Sequence, residues 1–330
     1  MELASLPVAL DAMGGDRAPG EIVAGALDAV HGGLPVVLVG PTDGRLGDVG
    51  GLEILPASEV IEMKDDPGRA VRTKKDSSLV RAAEAVRDGR ASAMVSAGNT
   101  GATMASALLR MGRLPGVFRP CIATPLPVPG GSPTVLVDAG ANADCQSEWL
   151  LQFARMGAAF YRARYGAERP KVALLSIGEE SSKGSLLVKE THERLAAARG
   201  RFEFVGNVEG RDLLAGEADV VVTDGFTGNV ALKALEGALR TFMTVLGGVM
   251  NATDETKAAS EVLLPGLLEA AAPLDPESTG GAMLLGVKGV CIISHGSSSR
   301  RAIVNAIRVG HDLAARDLTG TLAASVAEGS

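Results

Sequence analysis

The chain has 330 residues, a length that parallel α/β folds often reach as a single unit. Its formal net charge of −7 argues against a nucleic-acid binder, because such proteins need a net basic face. The three cysteines are widely spaced and form no CxxC pair, so neither a disulfide framework nor a structural zinc site is indicated, and a reducing cytosol fits best.

Short apolar runs rich in β-branched residues predict strands along the chain. They lie at residues 8–10, 36–39, 93–95, 134–137, 172–175, 202–205, 220–222 and 290–293. Most are followed by a Gly-containing turn and a helical pattern, which indicates βαβ units and a mainly parallel sheet. The N-terminus lacks the Lys or Arg of a signal peptide, and no apolar stretch reaches the roughly 18–20 residues that span a bilayer.

Residues 226–250 carry apolar side chains at helical spacing, and a second helical pattern over about 253–271 is interrupted at Pro265 and Gly266. Together they predict a helical hairpin excursion, 226–272, from a single α/β domain, 1–319. We expect the hairpin to pack against a second copy. An apolar tip at the Pro-Gly break is expected to contact a membrane, with burial in the dimer as the alternative. The tip residues are Val262, Leu263, Leu264, Leu267 and Leu268. Residues 320–330 are expected to be a frayed tail.

A Gly-rich loop follows the strand at 93–95 and precedes a helix expected over about 102–111. Exposed backbone N–H groups and the helix dipole make it a candidate phosphate cradle, and a tight turn with Thr100 as the helix cap is the alternative. The candidate ligands are Ser96, Gly98, Asn99, Thr100 and Gly101. Further candidates follow other strands, and they are Asp11, Gly14, Gly15 and Asn142.

A second corner repeats the strand, Gly-x-Thr-Gly turn and helix start, so we expect both corners to face one cleft. Its candidate residues are Asp224, Gly225, Thr227, Gly228 and Asn229.

Lys183, in a loop with Glu179, suits an anionic substrate, although solvation of a surface loop is equally plausible. His295, near Ser297, follows the last strand and is placed to donate a hydrogen bond or move a proton, whereas the other histidines have ordinary contexts. Cys145 is interpreted as a buried thiol rather than a nucleophile.

Seven ordered motifs resemble the bacterial phosphate acyltransferase family, PlsX, over nearly the full chain. They occupy residues 11–16, 96–102, 140–142, 177–180, 206–212, 224–229 and 294–298. The sequence departs from the family pattern at Arg17, Ser176, Gln146-Ser147 and Ser299. The resemblance implies a three-layer α/β/α sandwich similar to phosphate acetyltransferases and isocitrate or isopropylmalate dehydrogenases. It also implies a cytoplasmic homodimer at the inner membrane face.

The implied reaction is reversible transfer of a long-chain fatty acyl group from acyl carrier protein to inorganic phosphate. The acyl-phosphate would pass to a membrane acyl-phosphate glycerol-3-phosphate acyltransferase for phospholipid synthesis, and no metal or redox cofactor is expected. The carrier is acidic, so we expect it to dock on the densest basic cluster. That cluster is Arg69, Arg72, Lys74 and Lys75. Alternatives are a phosphotransacetylase acting on short acyl-CoA, a metal- and NAD-dependent dehydrogenase, and a non-catalytic membrane scaffold.

Phosphate is already a nucleophile near pH 7, so we expect direct attack on the thioester without an acyl-enzyme. The Gly-rich loop and Lys183 would hold phosphate. Asn229 or His295 would stabilise the oxyanion, with Asp224 in the same catalytic group, and His295 is the alternative proton donor to the thiolate.

Overall fold

The computed structural model describes residues 5–271 and 275–328. These residues form a single mixed sheet of 11 strands with helices on both faces, which confirms the predicted α/β/α fold class. The strands are β1 (Val8–Asp11), β2 (Val36–Gly40), β3 (Ile54–Pro56), β4 (Ala93–Ser96), β5 (Cys121–Leu126), β6 (Thr134–Val137), β7 (Lys171–Leu175), β8 (Glu203–Val208), β9 (Val220–Val222), β10 (Ala282–Leu285) and β11 (Val290–Ile293). The helices are α1 (Gly20–His31), α2 (Pro67–Thr73), α3 (Ser78–Arg87), α4 (Thr100–Ser106), α5 (Ser147–Tyr165), α6 (Leu186–Ala197), α7 (Gly225–Met250), α8 (Asp254–Ala271), α9 (Arg300–Ala315) and α10 (Leu318–Ala327).

The sheet separates two apolar cores, because successive side chains of a strand point to opposite faces. In β1, Val8 and Leu10 pack in the core under α1, α5 and α9, while Ala9 packs in the core under α3. All eight predicted strands are present. Burial on both faces explains why these strands read as continuous apolar runs rather than as alternating patterns.

The direction of the strands changes across the middle of the sheet. Its order is β3-β2-β1-β4-β11-β10-β5-β6-β9-β7-β8. Pairing is antiparallel at β11–β10, β10–β5 and β5–β6, and parallel at the other junctions. Three successive reversals make β6, β9 and β7 run opposite to β1, β4 and β11. We call the edge where β1, β4 and β11 end the first edge, and the edge where β6, β9 and β7 end the second edge.

The two strands that cause the reversal, β5 and β10, were not predicted. Pro125 interrupts the apolar run of β5, and proline is unusual inside a strand. The sequence of β10 is Ala-Met-Leu-Leu, which contains no β-branched residue and reads more like a helix. The sequence therefore carried no local signal for the change of direction.

Helices α7 and α8 form the predicted hairpin and are joined at residues 251–253. The expected interruption is wrong, because α8 continues through Pro265. The predicted apolar tip is also misplaced. Val262 lies eight residues beyond the start of α8, about 12 Å along the axis, so the cluster 262–268 lies along the shaft of the hairpin. Its five apolar side chains are exposed in the single chain.

The C-terminal segment is ordered where a frayed tail was expected. Helix α10 packs against α5 and buries Leu318, Leu322 and Val326. The spacing of four residues places these side chains on one face of the helix. The small residues between them gave the segment its polar appearance in the sequence.

Candidate active site

The first edge contains a packed corner between the ends of β1 and β4. The Ser96 hydroxyl donates to Asp11 Oδ2 at 2.7 Å and accepts from the Gly98 N–H at 3.0 Å. Burial raises the pKa of the Asp11 carboxyl. A Cβ at Gly14 would lie 2.5 Å from Asp11 Oδ2, so only glycine fits there. These four residues are all buried, so they fix the conformation of the loops at the first edge. They are Asp11, Gly14, Ser96 and Gly98.

Asn99, rather than Thr100, caps α4. Its Oδ1 accepts from the Ala102 N–H at 3.0 Å, and its amide nitrogen donates to the Met63 carbonyl at 2.8 Å. The helix therefore begins at Thr100, two residues before the predicted start. Gly101 packs against Pro67, where a Cβ would lie 2.8 Å from the ring. Thr100 remains as the exposed side chain of the predicted phosphate loop.

His295 lies at the first edge, after β11, and is exposed. Its Nδ1 accepts from the Ser297 N–H at 3.2 Å and lies 2.8 Å from Ser297 Oγ. A backbone N–H can only donate, so the neutral ring carries its proton on Nε2. The group that His295 offers a ligand is therefore an Nε2–H donor. Gly15, with φ of 110°, approaches the neighbouring Gly296 carbonyl closely.

The second edge is organised by Asp138, a residue that the sequence analysis gave no role. Its Oδ1 accepts from the N–H groups of Ile122 at 2.9 Å and Ala141 at 3.0 Å. Its Oδ2 accepts from both the N–H and the amide of Asn142, each at 2.8 Å. Burial raises the pKa of Asp138, and these hydrogen bonds oppose the rise. The Asn142 amide also donates to the Pro120 carbonyl, so it holds the loop.

Asp224 caps the N-terminus of α7. Its Oδ1 accepts from the Thr227 N–H and its Oδ2 from the Thr227 hydroxyl, both at 2.8 Å. These bonds satisfy a backbone donor that every helix start leaves open. The carboxylate predicted to be catalytic is thus engaged within its own turn. Asp224 directly follows a strand and precedes a helix, and this position in the sequence is the signal that predicts a helix cap.

Two glycines let the start of α7 press against the loop after β6. A Cβ at Gly225 would lie 2.6 Å from the Asn142 carbonyl oxygen, and one at Gly228 would lie 2.0 Å from the Asp138 carbonyl oxygen. Side chains larger than hydrogen cannot occupy either position without backbone movement. The contact leaves the next residue, Asn229, exposed beside the loop.

Lys183 lies in the turn after β7, also at the second edge. Its N–H donates to the Glu180 carbonyl at 3.0 Å. Its side-chain stem crosses Gly178, where a Cβ would lie 2.8 Å from Lys183 Cγ. Lys183 and Glu179 are both exposed. This glycine therefore allows the lysine stem to fold over its own loop.

A buried asparagine supports the Lys183 turn from the neighbouring strand. Asn207 of β8 donates through Nδ2 to the Glu180 carbonyl at 3.0 Å, and its Oδ1 lies 3.0 Å from Nδ1 of His192. Neither residue was predicted to be functional, because His192 has an ordinary helical context and Asn207 lies inside the motif at residues 206–212. A side-chain amide at a buried position of a strand needs hydrogen-bond partners, and this was the available signal for its role.

Lys183 and Asn229 are two candidate hydrogen-bond donors at the second edge whose side chains remain unpartnered. Within residues 5–271 and 275–328, neither side chain makes a hydrogen bond or an ion pair. They follow β7 and β9, which are paired neighbours. Helices α5, α6 and α7 also begin at this edge, because they follow β6, β7 and β9. Their positive ends and the lysine make the second edge attractive to an anion.

The two sets of predicted site residues do not meet within one chain. Thr100 and His295 lie at the first edge, whereas Lys183 and Asn229 lie at the second. The nearest pair is His295, after β11, and Asn229, after β9. Four strand spacings separate these two strands, about 19 Å, and the four-residue β11 adds about 13 Å along its length. The separation is on the order of 20 Å. The expectation of one cleft faced by both corners is therefore wrong for a single chain.

The predicted docking cluster lies on and next to α2, beside the first edge. Arg69, Arg72 and Lys75 are exposed. Lys74 differs, because its ammonium group donates to Asp65 at 2.6 Å and to the Val60 carbonyl at 2.8 Å. Three of the four predicted positive charges therefore remain open to a partner.

Cys145 lies at the second edge, with its Sγ 3.5 Å from the Asn142 carbonyl oxygen. Burial raises the pKa of this thiol to about 12. A nucleophilic cysteine needs the thiolate, so the environment disfavours that role.

Among the described residues, no group of three or more His, Cys, Asp or Glu side chains is arranged to hold a metal ion. No helix in the same residues has the length and apolar character needed to cross a membrane.

Comparison with known proteins places the chain in a family. Residues 6–320 match the family model described as fatty acid synthesis protein. A phosphate acyltransferase of Anaeromyxobacter dehalogenans is 48% identical, covering 97% of this chain and 90% of that protein. A phosphate acyltransferase of Myxococcus xanthus is 49% identical over 90% of this chain and 87% of that protein.

Among solved structures, a phosphotransacetylase from Streptococcus pyogenes aligns with a TM-score of 0.61 at 17% identity, covering 94% of both chains. This likeness confirms the expected kinship of fold. The full-length matches confirm the family resemblance drawn from the motifs. The chain is an acyltransferase and belongs to the fatty acid synthesis protein family, whose curated relatives are phosphate acyltransferases.

Proposed function

We propose that the chain transfers a long-chain fatty acyl group from an acyl carrier protein to inorganic phosphate, and that the acyl-phosphate supplies phospholipid synthesis. Family membership supports acyl transfer to phosphate. The structural observation that supports the reaction is the pair of unpartnered donors, Lys183 and Asn229, at an edge where three helices begin.

In this scheme Lys183 and the helix N-termini hold the phosphate dianion beside the thioester. A phosphate oxygen attacks the carbonyl carbon, and the C–S bond breaks as the acyl-phosphate forms. Asn229 donates to the carbonyl oxygen while negative charge develops there. The departing thiolate takes a proton from the imidazolium form of His295, because the neutral ring is too weak an acid to release its Nε2 proton. Positioning accounts for most of the rate, because phosphate needs no base to become a nucleophile.

The direct test is incubation of long-chain acyl-carrier protein with phosphate and enzyme, with acyl-phosphate trapped as the hydroxamate. Acetyl-CoA serves as the matched donor for the phosphotransacetylase alternative. Faster turnover with acetyl-CoA would replace our proposal by that alternative, and no product with either donor would favour the scaffold. Activity should survive EDTA and dialysis. A rate restored only by Mg²⁺, Mn²⁺ or NAD would favour the dehydrogenase.

We also infer that the working site is formed between two copies of the chain. The first edge carries His295 and the second carries Lys183, and the five strand spacings between β11 and β7 alone separate them by about 24 Å in one chain. A homodimer that brings the first edge of one copy against the second edge of its partner would supply both groups. The exposed apolar residues along α7 support pairing through the hairpins. On α7 they include Phe242, Met243, Val245 and Val249.

Subunit mixing tests the shared site. Assayed at phosphate well below the raised KM of Lys183→Ala, the Lys183→Ala and His295→Ala dimers should each be nearly inactive. Random exchange makes half of the dimers mixed, and each mixed dimer keeps one intact site, so activity should return to about a quarter of wild type. If both residues serve a site within one chain, mixing restores nothing. Size-exclusion chromatography with light scattering confirms that exchange occurs between dimers.

We propose that the acidic carrier docks at Arg69, Arg72 and Lys75, beside the first edge. The positive charges of these three side chains would attract the acidic carrier to a surface next to the first edge. Charge reversal at both Lys74 and Lys75 should raise KM for the carrier substrate. It should also weaken the dependence of that KM on salt concentration. Lys74→Glu alone should also disturb the loop, because it loses the Asp65 contact. An unchanged KM in Arg72→Glu/Lys75→Glu would exclude this surface.

We propose a cytoplasmic enzyme that contacts the inner face of the membrane through the hairpin and hands its product to a membrane acyl-phosphate glycerol-3-phosphate acyltransferase. The exposed shaft residues 262–268 are the candidate contact, and burial in the dimer remains the alternative. Replacing Leu263 and Leu267 with Glu should abolish liposome binding and leave turnover in solution unchanged. A monomeric variant would instead assign these residues to the dimer interface.

A further inference from the structure

A basic concavity lies at the far end of the sheet, away from the site residues. A cavity of about 440 Å³ forms around the turn between α6 and β8 and the residues after α5. A small depression adjoins it, between α5 and the end of α10. We call the two together the arginine cavity. Its basic lining residues are Arg155, Arg162, Arg169, Arg199 and Arg201.

The positive charge of the arginine cavity is poorly balanced. Five guanidinium groups face two carboxylates, Glu168 and Glu328. The one ion pair among these lining groups joins Arg201 to Glu328 at 3.8 Å, a long contact. In the described residues, Arg155, Arg162 and Arg199 have no carboxylate partner. This imbalance is unusual in a chain whose net charge is −7.

Two of these arginines are partly withdrawn from water. Arg155 and Arg162 lie seven residues apart on α5, so both project from the same face toward the end of α10. Burial lowers the pKa of both guanidinium groups, the charge of Arg201 lowers that of Arg162 further, and the Glu328 carboxylate opposes both shifts without forming an ion pair with either group. A half-buried cation with no paired carboxylate is unfavourable, and a bound anion would relieve that cost.

We propose that the arginine cavity binds a small phosphate anion of multiple charge, such as a diphosphate group. Guanidinium groups present forked N–H donors that match phosphate oxygens. The concavity is open to solvent, and its volume of about 440 Å³ lies within the range of small-molecule sites. Phe202 is 6% exposed, so its ring offers no stacking surface for a base. The phosphate groups are therefore the recognised part.

This site is separate from the proposed phosphate position in catalysis. The cavity lies where β8 and β7 begin, and Lys183 follows the end of β7, so the full length of the strand separates them. The proposal depends on the charges of this cavity and not on the proposed reaction. Its test therefore uses a variant in which the catalytic lysine is absent.

The test is isothermal titration of inorganic pyrophosphate into the full chain at constant ionic strength. We expect saturable binding with a Kd below about 1 mM, retained in Lys183→Ala. Arg162→Leu/Arg199→Leu should weaken it at least tenfold. Arg90→Leu is the matched control, because Arg90 is an exposed arginine on the other face, paired with Asp88 at 3.8 Å. Circular dichroism and thermal melts check that each variant folds.

The outcomes separate the possible sources of phosphate. Pyrophosphate binding lost in the cavity variant and kept in the control supports the proposal. Binding only to vesicles that contain phosphatidic acid would overturn a small-ligand site in favour of a lipid headgroup. Equal binding by the cavity variant, loss in Lys183→Ala, or absence of binding would each overturn it.

Discussion

Replacing Gly228 with alanine tests the close contact that fixes α7 on the loop after β6. The new Cβ would lie 2.0 Å from the Asp138 carbonyl oxygen and 3.0 Å from a Thr223 methyl group. An ordinary carbon–oxygen contact is about 3.3 Å, so the backbones must separate by roughly 1 Å. Overpacking typically costs about 1–3 kcal/mol, and a backbone obstacle places this case near the upper end.

The gain in helix propensity from glycine to alanine offsets about 0.5–1 kcal/mol, which leaves a net loss of about 2 kcal/mol. Gly237 provides the control, because it lies in the same helix and a Cβ there meets nothing within 4 Å. Gly237→Ala should stabilise the chain by about 0.5–1 kcal/mol. The assay is denaturant unfolding followed by circular dichroism, at one protein concentration for all variants.

Turnover provides a second measurement, because the displaced helix carries Asn229 with it. Gly228→Ala should lower kcat for acyl-phosphate formation, and Gly237→Ala should leave it unchanged. A Gly228→Ala protein as stable and active as wild type would refute the reasoning, since it would mean that the two backbones can part freely. Equal losses in both variants would trace the effect to glycine in the helix rather than to the contact.

Four further outcomes follow from the second edge. Lys183→Ala should chiefly raise KM for phosphate, and a kinetically silent variant would move the phosphate elsewhere. Asn229→Ala should lower kcat by on the order of 10² to 10³, the usual loss for an oxyanion donor; an unchanged kcat would remove it from that role. Cys145→Ser should stay active and the native thiol should react slowly with iodoacetamide at pH 8, because its pKa of about 12 leaves little thiolate; a trapped acyl-Cys145 would require a two-step mechanism. Asn207→Leu should raise KM for phosphate through movement of the Lys183 turn, checked against Asn207→Gln, and equal KM values in all three proteins would show that the amide does not position the turn.

The amino-acid sequence by itself determined the features that depend on neighbouring residues. Apolar β-branched runs predicted eight of the strands, helical spacing predicted the hairpin, and the strand-to-helix corners identified the family. These signals are local, because side-chain periodicity and turn residues act over a few positions. Lys183 and Asn229 were found this way, as polar residues in a loop and at a helix start that follow strands.

Only the tertiary structure decided which edge each corner occupies and which polar groups remain free. The reversal rests on pairing between β5 and β10, where Met283 lies opposite Ala123, a contact between distant parts of the chain. Likewise, Asp224 was predicted to be catalytic and Asn142 to bind a ligand, but their side chains are engaged in capping and loop bonds. Helix α10 looked frayed because its small residues gave little local signal, and its buried face exists only against α5. Strand direction and hydrogen-bond partners depend on non-local contacts, so periodicity along the chain cannot specify them.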